Sequence, residues 1–161
     1  CITAYLGNLR GIPTIDKAIA DEEIFGIVSA AMKESGDGLI KKYGFDPEKH
    51  AAYIKKIISR FKNPYLQDDV TRVGREPLRK LSPTDRLIKP MMTAAEYGLP
   101  VDHLVIGAGA ALHYDTPNDK QSVELQEKIG AQGVRAAAAE ITGLTDEGLL
   151  DAIVAEYEKL N

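Results

Sequence analysis

The spacing of apolar residues predicts a chain that is helical almost throughout. Two runs place apolar side chains at the three- and four-residue intervals of one helix face. The first comprises Ile24, Ile27, Val28, Ala31 and Met32, and the second comprises Ala51, Ile54, Ile57, Ile58 and Phe61. No segment of five or more residues alternates as a surface strand would. The pattern therefore predicts an all-α fold, a compact multi-helix domain spanning residues 1–161.

Capping residues predict where the longer helices begin and end. Asp21 is a suitable N-cap because the acids that follow it complement the helix dipole. The triplet Asp46–Glu48 combines a cap, a proline and an acid, which is a strong start signal. We expect the first long helix to weaken at Gly36 and Gly38 and to stop at Gly44.

The remaining elements are predicted from prolines, glycines and shorter apolar patterns. Asn63-Pro64 should end the second long helix, because the residue before a proline disfavours helical geometry. Residues 63–83 are expected to form short helical turns and loops. The other expected helices are Ile15–Ala20, capped by Thr14, then 84–97 with a kink or restart at Pro90, and 101–113, 120–130, 133–142 and 146–159.

Charge is concentrated in the middle of the chain. The whole sequence carries a net charge of -4, yet residues 55–89 hold ten basic and four acidic residues, and the remainder holds ten basic and twenty acidic. A basic segment within an acidic chain indicates a localised anion site rather than a broad nucleic-acid surface. No apolar run has the length of a membrane span. One cysteine excludes an internal disulfide, which fits a cytoplasmic protein.

The basic segment contains candidate anion ligands. Arg79, Lys80 and Arg86 lie close along the chain, with Arg75 and Lys89 nearby. An arginine fork donates two parallel hydrogen bonds to a phosphate, and a lysine adds a point charge. On a helix that begins near residue 84, Arg86 and Lys89 would share a face. An ordinary solvated face is the alternative reading of this charge.

Three other patterns invite a function and have simpler explanations. Leu104–Gly109 resembles a dinucleotide-binding glycine turn, but Leu112 occupies the position that needs a small residue, so we expect close helix packing there. Cys1 is compatible with an N-terminal-nucleophile hydrolase. We instead expect that residues preceding Cys1 are missing from this chain. The three histidines have no metal-ligand spacing, so no metal site is expected.

The basic segment and its surroundings carry a specific resemblance. ISRFKNPYLQDDVTRVGREPLRKLS, residues 58–82, closely resembles the bacterial mannitol-1-phosphate 5-dehydrogenases, which are long-chain polyol dehydrogenases. DRLIKP at 85–90, EYGLP at 96–100, ITAYLG at 2–7 and KHAAYI at 49–54 match as well. The resemblance covers essentially the whole chain and weakens after Leu112.

The resemblance implies a fold, an activity and a missing half. Such enzymes join an N-terminal Rossmann domain that binds NAD to a helical C-terminal domain, similar to that of 6-phosphogluconate dehydrogenase, that closes over the polyol. They interconvert D-mannitol 1-phosphate and D-fructose 6-phosphate. Their catalytic signature, a Lys, four residues, an Asn, two residues and a His, would end at or just before Cys1. We therefore expect this chain alone to be inactive, to bind no cofactor, and to belong to a monomeric cytoplasmic enzyme with its own Rossmann domain as partner.

The resemblance also assigns roles within the basic segment. It makes Arg79, Lys80 and Arg86 the clamp for the phosphate and hydroxyl groups of the substrate. Asn63, Arg75 and Lys89 are outer candidates. Tyr5 and Leu6 are expected to pack beneath the catalytic residues. A standalone helical phosphate-binding module and the N-terminal-cysteine hydrolase remain as alternatives.

Overall fold

The computed structural model describes residues 1–65 and 67–160, and this part of the chain is all-α, as predicted. An isolated antiparallel bridge joins Thr14 to Asp69. The helices are α1 (Ile2–Leu9), α2 (Ile15–Ala20), α3 (Glu22–Tyr43), α4 (Pro47–Phe61), α5 (Val70–Val73), α6 (Pro77–Lys80), α7 (Ile88–Glu96), α8 (Asp102–Leu112), α9 (Lys120–Gln132), α10 (Val134–Thr142) and α11 (Glu147–Lys159).

The predicted start and stop signals of α3 and α4 are confirmed. The Asp21 side chain accepts hydrogen bonds from the Glu23 and Ile24 backbone N–H groups at 3.0 and 3.1 Å. Asp46 caps α4 through the backbone N–H of Glu48 at 2.9 Å. Gly44 ends α3 in the left-handed conformation, with φ of 69°. Such side-chain caps satisfy donors that a helix start leaves free, which explains why these boundaries were predictable.

The expected weakening of α3 at its paired glycines is wrong, because the helix runs unbroken from Glu22 to Tyr43. Both glycines instead lie where neighbours approach closely. A Cβ on Gly36 would come within 2.2 Å of the His50 ring, and one on Gly38 within 3.2 Å of the Ala94 backbone nitrogen. The glycines therefore let α4 and α7 pack directly on the α3 backbone.

The expected helix over residues 84–97 is corrected at its start. Helix α7 begins at Ile88, so Pro90 lies in its first turn and causes no kink. A proline is tolerated there because its missing N–H has no partner within the helix. Arg86 precedes the helix, and the expectation that Arg86 and Lys89 share a helix face is wrong.

Helix α1 was not among the predicted elements, yet it lies at the centre of the molecule. It packs against α2, α3, α5 and α8, and Ala4, Tyr5 and Leu6 are fully buried. Eight residues carry too little periodicity to be recognised as a helix. Its burial makes it a fixed platform for the segments that cross it.

The glycine-rich stretch that resembles a nucleotide turn lies inside α8. A Cβ on Gly107 would come within 2.6 Å of the Ile2 side chain, and one on Gly109 within 3.0 Å of the Tyr157 backbone nitrogen. The interpretation as close helix packing is therefore confirmed, since α1 and α11 contact α8 at these positions. A continuous helix has no strand-to-helix turn that could hold a pyrophosphate.

A buried carboxylate secures the start of α8 from another helix. Glu34, on α3, accepts hydrogen bonds from the backbone N–H groups of His103 and Leu104 at 3.0 and 2.9 Å. It also pairs with the His103 ring at 2.8 Å. These contacts satisfy free donors of α8 and give Glu34 and His103 a structural role.

The last four helices agree with the expected ones to within two residues. Asp146 caps α11 through the Leu149 N–H at 3.1 Å. Within the described residues, no helix combines the length and the apolar character needed to cross a membrane.

Candidate functional site

The basic segment is anchored to the core by two tyrosines. The Tyr5 hydroxyl donates to the Gly74 carbonyl at 3.0 Å, and the Tyr114 hydroxyl donates to the Thr71 carbonyl at 3.1 Å. Their rings meet edge to face with centroids 5.3 Å apart. A Cβ on Gly74 would lie 3.2 Å from each ring. The turn between α5 and α6 therefore has a fixed position above α1.

Lys80 lies at the centre of the cationic residues and is buried, with 3% of its surface exposed. Its ammonium group donates to the Val73 carbonyl. Burial lowers the pKa of Lys80 to about 8, and the positive charges of three arginines add to the effect. In decreasing order these are Arg86, Arg79 and Arg75. The part of the shift that comes from the arginines reflects a positive potential, which a bound anion would reduce.

Arg86 lies in the turn before α7 and extends to the start of α1. Its Nη1 donates to the Cys1 Sγ at 3.8 Å, and its Nε is 3.5 Å from Asp85 Oδ1. The same Asp85 oxygen accepts the Arg86 backbone N–H at 2.7 Å. The guanidinium is thus oriented from one side, while 64% of the side chain remains exposed. It can donate to a ligand without losing these contacts.

Arg86 borders a cleft of about 300 Å³ between α1, α3 and α4, which we call the α3–α4 cleft. Its walls are mostly apolar and carry a few polar groups at the rim. The residues that define it are Cys1, Thr3, Met32, Ser35, Tyr53 and Phe61. Apolar walls with few polar groups are typical of small-molecule sites.

Helix α4 forms one wall of this cleft, and most of its side chains are exposed. Ile58 is its buried residue, although the sequence predicts a full apolar stripe. Sequence reasoning missed the cleft residues His50 and Tyr53 on this helix. Extending the stripe one turn toward the N-terminus from Ile54 reaches His50, so the helical period contained that signal.

Arg75 and Arg79 do not border the α3–α4 cleft. Arg79 pairs with Glu76 at 3.0 Å. Arg75 donates to the Arg72 carbonyl at 3.4 Å and borders a separate open depression beside Tyr114. These two arginines are close enough to influence Lys80, but they do not line the α3–α4 cleft.

The two outer candidates Asn63 and Lys89 lie apart from each other. Asn63 closes the turn after α4 by accepting the Tyr65 N–H at 3.0 Å, and it lines a depression with Asp16 and Arg60. Lys89 shares a third depression with Arg86. The structure therefore groups Lys80, Arg86, Arg79 and Arg75 electrostatically, adds Lys89 through Arg86, and leaves Asn63 elsewhere.

The described residues contain no cluster of candidate metal ligands. Across residues 1–65 and 67–160, no three His, Cys, Asp or Glu side chains gather as a metal site would require. Besides His50, which lines the cleft, the chain has two histidines. His103 pairs with Glu34, and the His113 ring stacks on the Tyr157 ring with centroids 3.9 Å apart. What the described residues offer is a cation-bordered cleft suited to a small polar anion.

Fold and site together define an all-α domain that presents a localised basic site beside an apolar cleft. The family model of the mannitol dehydrogenase C-terminal domain matches residues 1–161, and the chain belongs to this family. The chain is therefore a domain of an oxidoreductase family.

Proposed function

We propose that this chain is the substrate-binding domain of an enzyme that interconverts D-mannitol 1-phosphate and D-fructose 6-phosphate with NAD. The observation that carries the proposal is the position of Arg86, which borders the α3–α4 cleft beside Cys1 with the Lys80 charge behind it. Arg86 can donate charge-assisted hydrogen bonds to the phosphate or hydroxyl oxygens of such a substrate in this cleft. Family membership favours this function over a standalone binding module or a cysteine hydrolase.

The residues of this chain would bind and orient the substrate. Arg86 would donate charge-assisted hydrogen bonds to substrate oxygens. Lys80, held at the Val73 carbonyl, would act through its charge and by fixing the turn. Arg75 and Arg79 would add positive potential that attracts the anion toward the cleft.

The glycine-rich stretch of α8 is a packed helix and supplies no dinucleotide-binding turn. The proposal therefore assigns NAD to an N-terminal Rossmann domain of the same polypeptide, in a cytoplasmic and monomeric enzyme. The Lys, Asn and His of the family signature would precede Cys1. Arg86 contacts Cys1 and would therefore lie near them. We expect the present chain alone to show no turnover.

The test is an assay of the full-length protein. NADH oxidation should depend on fructose 6-phosphate and should be absent with the chain of residues 1–161 alone. Turnover by the isolated chain, scaling with its concentration, would contradict the division of roles. Absence of turnover by the full-length protein with either phosphorylated substrate would contradict the proposed function.

A further inference from the structure

The depression that Lys89 shares with Arg86 adjoins the α3–α4 cleft at Arg86. It has a volume of about 330 Å³ and lies between the C-terminal half of α3 and the start of α7. Close contact of Gly38 with Ala94 holds these helices together beneath it. We call it the α3–α7 depression. The polar residues that line it are Ser35, Tyr43, Thr84, Asp85, Arg86, Lys89 and Thr93.

The side chains of this depression suit an oxyanion. Arg86 and Lys89 bring two positive charges, and Ser35, Tyr43 and Thr84 carry hydroxyl groups. The Thr93 hydroxyl already donates to the Lys89 carbonyl at 2.9 Å. The carboxylate on its wall, Asp85, is already engaged by Arg86 through the backbone N–H at 2.7 Å and Nε at 3.5 Å. This contact orients the guanidinium and leaves its Nη2 atom, with the Cys1-facing Nη1, for further partners. A fork presented in this way matches the geometry of a phosphate.

The helix dipole disfavours a positive charge at the position of Lys89. It lies in the first turn of α7, which contains no acidic residue. The first turns of α3 and α4 carry acids, as the helix dipole favours. A cation at the positive end of a helix costs stability, and a bound anion would turn that cost into a favourable interaction. The position of Lys89 and the lining of the depression are both compatible with a bound anion.

The two depressions adjoin, because Ser35, Leu39 and Arg86 line both. A phosphorylated acyclic polyol is an elongated ligand with a hydroxylated carbon chain and one charged end. We propose that the α3–α7 depression is the subsite for the phosphate group of the substrate, with Arg86 and Lys89 as its cationic ligands. The carbon chain then lies in the α3–α4 cleft. This assignment rests on the proposed function for the identity of the phosphate ester.

The experiment compares Lys89→Gln with Lys17→Gln in the full-length protein. Both changes remove one exposed lysine charge, and Lys17 lies on α2, outside both depressions. Two constants are measured: KM for fructose 6-phosphate and the inhibition constant of inorganic phosphate. Lys89→Gln should raise both by about 10-fold or more, as expected for losing a hydrogen bond from a charged group. Lys17→Gln should change neither.

Each outcome decides one of the two proposals. If the protein turns over fructose 6-phosphate but Lys89→Gln changes neither constant, the subsite is wrong and the proposed function stands. If no turnover occurs, the proposed function fails, and a calorimetric titration with inorganic phosphate tests the subsite by itself. Loss of phosphate binding in Lys89→Gln alone supports an anion subsite, while equal binding in all three proteins overturns it.

Discussion

The Nη1 atom of Arg86 lies 3.8 Å from the Sγ atom of Cys1, although 85 positions separate the two residues. The contact joins the turn before α7 to the beginning of the buried helix α1. Because α1 is fixed in the core, Arg86 is held at one rim of the α3–α4 cleft. In the proposed enzyme this rim is where the substrate and the residues preceding Cys1 would meet.

Replacement of Arg86 by alanine tests this position directly. In the full-length protein, Arg86→Ala should raise KM for fructose 6-phosphate about 10- to 150-fold. This corresponds to the loss of a hydrogen bond from a charged group, ~1.5–3 kcal/mol. Steady-state kinetics measures the effect. Arg135→Ala is the control, since Arg135 pairs with Asp151 on the distant α10–α11 surface. An unchanged KM in Arg86→Ala would remove Arg86 from the site.

The anchoring of the basic segment by Tyr5 predicts a loss of stability on removing one oxygen. Tyr5→Phe leaves the buried Gly74 carbonyl without its donor. An unsatisfied buried acceptor costs ~1–3 kcal/mol, so the free energy of unfolding should fall by that amount in urea titrations. Tyr97→Phe, at an exposed position, is the control and should be neutral. Equal stability of both variants would mean that the Tyr5 hydrogen bond does not anchor the segment.

Local signals account for what the sequence could predict of the fold. Asp21 and Asp46 cap their helices through their own side chains, so each boundary is visible within four residues. The start of α7 could not be found in this way. The turn before it is held by the burial of Leu81 and Leu87 in the core, which depends on residues distant in the chain.

The candidate site was likewise predictable from the sequence only in part. The excess of positive charge in residues 55–89 predicts an anion site, because charge is a property of composition. Tertiary structure, by contrast, determines that Lys80 is buried against the Val73 carbonyl and that Asn63 lies apart from Arg86. Sequence proximity grouped Arg79 with Arg86, whereas in the structure Arg86 lines the α3–α4 cleft and Arg79 does not.

Two glycine substitutions, one at the contact of α8 with α11 and one at an open position of α3, should have opposite effects on stability. Gly109→Ala would place a Cβ 3.0 Å from the Tyr157 backbone nitrogen, which cannot yield without moving α11. Overpacking of this kind should lower the free energy of unfolding by ~1–3 kcal/mol. Gly26→Ala, in the interior of α3 with open space around it, should raise it by up to ~1 kcal/mol through helix propensity. Urea unfolding of the two variants measures both. A stabilised Gly109→Ala would contradict the packing role.

The lowered pKa of Lys80, about 8, predicts a pH-dependent affinity for the phosphorylated substrate. Below this pH the ammonium is charged and adds to the potential that attracts an anion. As pH rises through about 8 the charge is lost, so affinity should fall and binding should be coupled to proton uptake. Titration of the full-length protein with fructose 6-phosphate on both sides of that pH measures the slope. Lys80→Met removes the titrating group and should bind more weakly with a flatter profile. An equal slope in both proteins would assign the pH dependence to another group.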